Sequence, residues 1–409
     1  MWTLLAMAWR NVRRNRRRTA ITLAAVIIGV GAVIAIRGVL NGLQAGITRA
    51  SAEGALGAIQ VHRAGYLDNV LSTPLSMDFP IDEKMLDTIR GVPGVRAVTP
   101  RIQFAGSLTI SVPPDREMPE ALFFTAIAVD PKTELLVCPD RPTLYTEGTR
   151  FDDEHLVMGD ALAKSLGAKV GDEVVLLAPD RDGSLNGALS HVGGAMHAML
   201  PGEPKVAVVP LHLAQELLRM DGRATELAVA VKDLRDIDDV KARLAKAVGP
   251  EWEVHTWLEV MPERRTIMQL QDGIGVIVSF VFLVLMLLGV ANTTLMAVLE
   301  RTREVGTMMS LGLTRAQVLA LFLLEALVMG LWGAAGGLGL AAAFTAYFSK
   351  GGLTFRPPSA TRAFDVLPYL SPRFTTVVLL IAVLGAVLFS LYPAWRASRL
   401  RPVEALAGR

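Results

Sequence analysis

The chain of 409 residues has a single cysteine, Cys138, which excludes an internal disulfide and a cysteine-based zinc site. Its six histidines are scattered, and none falls in an HExxH-like spacing. His191 and His197, in "HVGGAMHAML", stand beside methionines, but that spacing matches no established metal site. A glycine-rich strand or loop is the simpler reading. No G-x-x-x-x-G-K-[ST] phosphate loop occurs, so nucleotide binding by that route is excluded for this chain. Net charge is only +2, too little for a global field that would draw nucleic acid. No Ser/His/Asp order or paired-carboxylate helix falls at the end of an apolar run, which sets aside a membrane enzyme. Aromatic residues are scarce at 6%, yet hydrophobic residues reach 52% and mean hydropathy +0.41. The excess is aliphatic.

What the sequence does hold is long apolar runs. A membrane-crossing helix takes about 20 apolar residues. Four segments qualify: 19–47, interrupted only by Arg37; 267–299, free of charge from Gly273 to Leu299; 314–348, with Glu325 as the one charge after Arg315; and 372–393. The longest exceed the hydrocarbon core and are expected to tilt or project. Between the first two lie residues 48–266, of ordinary mixed composition. There "VVLLAP" and "KVAVVPL" read as strands, while "IDEKMLDTIRGV", "GDALAKSLGA", "LHLAQELLRM" and "DIDDVKARLAKAVG" read as amphipathic helices. The expected fold is an α-helical membrane protein with four transmembrane helices and a large α+β extracytoplasmic domain, in two lobes, inserted between helices 1 and 2. "PDRDGSLNG", Pro179–Gly187, reads as an exposed loop between strands.

Arginine placement sets the orientation. Arg10, Arg13, Arg14, Arg16, Arg17 and Arg18 precede the first run, Arg301, Arg303 and Arg315 lie in the link 300–313 and just beyond it, and Arg396, Arg399, Arg401 and Arg409 fall in the tail 394–409. The outer linker 349–371 carries fewer. Both termini and the short link are therefore expected in the cytoplasm, with the large domain outside. A cleaved signal peptide would need a short apolar region, and the first run is too long for one. The segment 1–18 is expected to be the cytoplasmic anchor of a retained helix, near anionic headgroups.

The most specific stretch is "ANTTLMAVLERTREVGTMMSLGLTRAQVLALFLLEALV". Its middle predicts a short amphipathic helix lying at the membrane surface. Gly312 is placed to end it in a left-handed cap, and Thr314 with Gln317 forms a capping box for the third crossing. The last stretch, "YPAWRASRLRPVEALAGR", carries Tyr392-Pro393, expected to end or kink the fourth crossing, and Pro402, expected to start a final short helix.

These two stretches resemble the FtsX-like/MacB-type permease family of ABC transporters. The resemblance rests on Glu300, Arg301, Glu304, Val305, Gly306, Ser310 and Gly312, then Tyr392, Pro393, Ala394, Arg396, Ala397, Pro402, Ala405 and Leu406. Ser310 stands where alanine is usual. Within the outer domain, "GVPGVRAVTPRIQFAGSL", "GDALAKSLGAKVGDEVVLLAP" and "VVPLHLAQELLRM" resemble the lipoprotein-releasing (LolC/LolE-type) branch. The family implies two paired permeases, a homodimer or a pair of paralogues, on a cytoplasmic ABC ATPase that binds ATP and Mg. This chain itself is then non-catalytic and holds no cofactor. The ATPase-coupling residues are implied to be Glu300, Arg301, Arg303, Glu304, Val305, Gly306, Met309, Leu311 and Gly312. The lipoprotein branch adds a lipid-anchored substrate and a periplasmic carrier, with the loop Asp180–Asn186 as the nearest candidate for recruiting it. Only about 18 residues precede the first crossing, which favours the unfused organisation of that branch over exporters with a fused ATPase. Export of peptides or antibiotics and mechanical regulation of outside hydrolases are the alternatives.

Small residues recur at four-residue spacing in Gly38, Gly42 and Gly46, and near it in Gly330, Gly333 and Gly337. Such strips let helices approach closely in lipid, either within a subunit or across a subunit seam. Glu325 is expected to contact a neighbouring helix or water near the inner face, with substrate or proton handling as the sharper alternative. Arg37 lies about 28 Å along a helix from Arg18, a position from which its side chain can snorkel to the outer headgroups.

Overall fold

The computed structural model describes Met7, Arg10, Asn11, Arg14 and residues 16–72, 75–111, 120–197, 205–355 and 364–399. In chain order, helix α1 (Arg16–Arg49) passes into a π-helical turn, Ala50–Ala55. Then come β1 (Ile59–Arg63), β2 (Phe79–Pro80), α2 (Glu83–Arg90), β3 (Val95–Ile110), β4 (Leu122–Val129), α3 (Pro131–Val137), β5 (His155–Gly159), α4 (Asp160–Leu166), β6 (Glu173–Pro179) and β7 (Leu185–Met196). They are followed by β8 (Val206–Pro210), α5 (Leu211–Leu218), β9 (Arg223–Ala224), β10 (Glu226–Val231), α6 (Ile237–Val248), β11 (Trp252–Thr256) and α7 (Trp257–Val260). The chain ends with α8 (Pro262–Glu300), α9 (Thr302–Ser310), α10 (Arg315–Phe348), the ribbon β12 (Leu353–Phe355) with β13 (Phe364–Val366), and α11 (Pro372–Ser398).

The chain divides into two compact units, one of residues 1–44, 268–353 and 365–409, the other of 45–267 and 354–364. In the first, α1, α8, α10 and α11 are long and apolar enough to cross a membrane. With 34 residues α10 is about 51 Å long at 1.5 Å per residue, well beyond an apolar core of about 30 Å. The buried centre joins Val26, Val30, Val33 and Ile34 of α1 to Met286, Leu287 and Val290 of α8, Ala341 of α10, and Val378, Ala382 and Ala386 of α11.

Glycines set that spacing. A Cβ on Gly337 would lie 2.6 Å from Cβ of Val30, and one on Gly330 would lie 3.2 Å from Cβ of Ala386. Gly333 sits against Val26, Gly42 against the Leu367 carbonyl, and Gly38 accepts a hydrogen bond from the Tyr369 amide at 3.2 Å. These strips therefore serve packing inside one subunit. Gly46 is the exception, with no neighbouring atom within 4 Å of the place its Cβ would take, so it makes no helix contact within this chain among the described residues.

Of the two expectations for the fourth crossing, an end at Tyr392-Pro393 is not met. Pro393 lies inside α11, which continues to Ser398. Proline removes one helical hydrogen bond, but leaving the helix in an apolar medium would strand several backbone groups. Pro402, Ala405 and Leu406 of the expected final helix lie outside the described residues. At the other boundary, α8 begins at Pro262, ahead of the residue 267 read from hydropathy, because polar residues such as Arg264 and Gln269 carry a helix well while lowering its apolar signal.

In the second unit β3, at 16 residues, organises everything. Its C-terminal half pairs with β4 on one side and β6 on the other, and β4–β8, β8–β5, β5–β7 and β7–β6 close the ring. Inward side chains Ile102, Phe104, Leu108, Phe124, Leu156, Met158 and Leu176 fill this barrel. The N-terminal half of β3 pairs with β10, which continues through β1 to β11. The two lobes are thus one continuous sheet sharing a strand, rather than two separate folds. "PDRDGSLNG" is the β6–β7 hairpin turn, where the Asp180 carboxylate accepts from the amides of Asp182 at 2.9 Å and Ser184 at 2.8 Å. The glycine-rich segment with His191 is the strand β7, as the sequence indicates.

Candidate functional site: a surface helix on a buried ion pair

Helix α9 forms because an apolar stripe of Val305, Met308 and Met309 finds a bed. It packs on Val298 of α8, Val318 and Phe322 of α10, and Ala394 and Ala397 of α11. Gly312, at φ +103°, breaks the chain after it, and Thr314 then caps α10 in a reciprocal box with Gln317. Both terminal signals match the sequence reading. Arg303, Glu304, Thr307, Ser310 and Leu311 face outward, and Leu311 is 80% exposed. The expected coupling residues therefore divide. Glu300, Arg303, Glu304, Leu311 and Gly312 lie on the surface, whereas Arg301, Val305 and Gly306 are buried and Met309 is half-buried.

Beneath α9 is a polar knot. Glu325 Oε1 accepts from Asn11 Nδ2 at 2.6 Å and from Arg301 Nη1 at 3.2 Å. Arg301 Nη2 also donates to the Asn11 carbonyl at 3.3 Å. Arg301 and Glu325 are 5% and 7% exposed, so neither charge could stand alone there. One turn on, Arg14 pairs with Glu304 on the exposed face. The N-terminal segment is thereby tied both to α9 and to the residue that precedes it. Glu325 thus makes the expected contact with neighbouring helices. Asn11 was hidden among arginines, and no periodicity marks it. Arg37 behaves differently from the snorkelling reading. It pairs with Asp272 at 2.9 Å, stacks over the Phe374 ring at 5.7 Å, and is held among helices.

A second ionic cluster fills the core of the other unit. Arg101 of β3 meets Glu134 of α3 at 2.7 Å and Glu226 of β10 at 3.3 Å, while Arg141 meets Glu134 at 2.7 Å. The arginines also hold the end of the π-helical turn. Arg101 donates to the Leu56 carbonyl at 2.8 Å and Arg141 to the Ala55 carbonyl at 2.5 Å. These are the carbonyls a helix leaves unsatisfied at its C-terminus, where positive charge is also favoured by the dipole. Burial opposes the charge on Glu134, but Arg101 and Arg141 outweigh it and hold its carboxyl below the usual range. For Glu226 burial prevails over Arg101 and pushes the carboxyl up. Burial also raises the Cys138 thiol, which receives a hydrogen bond from Arg101 at 3.1 Å. Nearby, His62 is fully buried, its Nδ1 donating to the Thr225 carbonyl at 3.2 Å, and burial lowers its pKa to about 4. His197 pairs with Asp160 at 2.9 Å, and no group of three potential metal ligands occurs among the described residues.

Comparison with known proteins places this architecture. Residues 19–247 match the MacB-like periplasmic core domain and residues 276–402 the FtsX-like permease C-terminal region. The macrolide export ATP-binding/permease protein MacB of Nitrobacter winogradskyi is 28% identical over 100% of this chain and 61% of its own length. The chain thus spans about three fifths of that relative. The uncharacterized ABC transporter permease MJ1507 of Methanocaldococcus jannaschii is 23% identical over 99% of this chain and 98% of its own length. The lipoprotein-releasing system transmembrane protein LolC of Xylella fastidiosa is 23% identical over only 62% of this chain. Four apolar helices, an α+β domain between the first two, and these matches across the chain lead to one conclusion: the protein belongs to the FtsX-like, MacB-type family of ABC transporter permeases.

Proposed function

We propose that this chain is a permease subunit of the bacterial inner membrane that couples ATP hydrolysis by a separate cytoplasmic ATPase to movement of its outer domain. Both termini and α9 face the cytoplasm in this reading, and the domain of β1 to α7 faces the periplasm. The observation that carries it is α9 itself: its apolar face is fixed to the ends of α8, α10 and α11, and its other face presents Arg303, Glu304, Thr307 and Leu311 outward. A push on that face is delivered to three helices at once. ATP and Mg stay with the ATPase, and the permease works beside a second copy or a paralogue. The substrate is an amphipathic molecule handled at the outer face. The relatives that match throughout, among them the exporter MacB, favour export. Extraction of lipoproteins for transfer to a carrier is the second reading, favoured by the partial likeness to LolC and by the hairpin 180–186, exposed at residues 181–185, as the point of recruitment.

The test is photocrosslinking in native membranes from Leu311 and Thr307, with Phe123 of the outer domain as the control position. Capture of a nucleotide-hydrolysing ATPase from α9 alone supports the reading, and its absence there, or its capture from Phe123, overturns it. Glu304→Lys should leave insertion normal while transport and ATPase stimulation fall. Normal transport with normal stimulation would sink the coupling assignment.

A further inference from the structure

A groove of about 700 Å³ opens between α1 and α8 at the arginine-bearing end of the membrane unit. Arg14, Arg16, Arg17 and Ile21 line it from one side, and Asn292 and Met296 from the other. We propose that this groove binds the phosphodiester headgroup of an anionic phospholipid, with the acyl chains lying along the two helices.

Charge is the first reason. Arg14 is already paired with Glu304, but Arg16 and Arg17 are exposed and have no protein partner among the described residues. Guanidinium groups suit phosphate because they can donate two parallel hydrogen bonds. Shape is the second. Ile21 and Ile28, seven residues apart on α1, are 70% and 59% exposed. Leu285, Leu288, Met296 and Leu299 form an exposed apolar stripe on α8. An acidic protein segment would answer the arginines but not these two tracks.

Asn292 is the third reason. It is exposed within that apolar stripe and makes no hydrogen bond to the protein among the described residues. It lies eight residues before Glu300, about 12 Å deeper along the helix. A polar amide facing hydrocarbon is costly without a partner, and the ester and glycerol oxygens of a lipid held by its phosphate lie at that depth.

The inference rests on the membrane reading but not on ATPase coupling, and it is tested on the full chain alone. The purified chain is equilibrated with equimolar phosphatidylglycerol and phosphatidylcholine, and retained lipid is measured by native mass spectrometry. Enrichment of phosphatidylglycerol is expected, falling by about thirtyfold in Arg16→Gln/Arg17→Gln, given ~1 kcal/mol for each of the two arginines at an anionic surface. Asn292→Leu should reduce retention of the same lipid with the arginines intact, which keeps the test open if the double variant inserts poorly. Arg396→Gln/Arg399→Gln removes equal charge elsewhere and should change nothing. Absence of enrichment, equal loss in the Arg396/Arg399 variant, or displacement of the lipid by ATP would overturn the proposal.

Discussion

The membrane unit and the outer domain both bury an arginine–glutamate cluster, but they bury it in different places. In the outer domain, Arg101, Glu134, Arg141 and Glu226 sit in the middle of the core, where β3, β10 and α3 meet. In the membrane unit, the middle is aliphatic and glycine-rich, and Arg301 with Glu325 lies at one end, below α9. Water can supply no partner at the centre of a bilayer, so charge there is confined to ends and cavities. A domain in water is free to tie several strands together through one central charge network. In each unit buried arginine also grips backbone carbonyls, Arg141 and Arg101 those of Ala55 and Leu56 in one and Arg301 that of Asn11 in the other. Buried arginine thus marks where a chain segment is held fast.

The sharpest way to break this comparison is Arg101→Met. It leaves Glu226 without its arginine, removes one of the two arginines of Glu134 and one donor to the Leu56 carbonyl, and should cost about 3–5 kcal/mol. Protease resistance of the outer domain should collapse, whereas replacing Arg101, Glu134, Arg141 and Glu226 together with apolar residues should cost less than the single change. In the membrane unit, Glu325→Leu leaves Arg301 without its counter-charge, with an expected loss of about 2–3 kcal/mol in detergent unfolding. Arg301→Met added to it should restore part of that loss. Gly337→Val drives a side chain into Val30 and should cost about 1–3 kcal/mol. Gly46→Val meets nothing and should be nearly neutral by the same measurement.

A further expected effect is a pH dependence at His62. Its pKa is about 4 in the fold and about 6.5 when unfolded. Between those values the unfolded chain binds more protons, so stability is complete above about pH 6.5 and is lost as pH falls toward 4. His255 and Glu253 face the same ring and contribute opposite, smaller influences. Hydrogen exchange of β1 should show a pH slope in this window that His62→Gln flattens.

The sequence by itself determined the four crossing helices, because apolar runs of this length have no other stable use. It also determined the short helices of the outer domain, the Gly312 break and the Thr314 box, since each depends on neighbours within a few residues. Only the tertiary structure decided which glycines touch a helix, that the two lobes share β3, and that Pro393 stays inside a helix. It alone brought Asn11, Arg301 and Glu325 together across separations of 314 and 24 residues. The reason is that a charged residue reads as polar wherever it stands, so periodicity counts it against the core, and its partner lies on another element. Burial of charge is a property of the assembled pair, and no local window contains both halves of it.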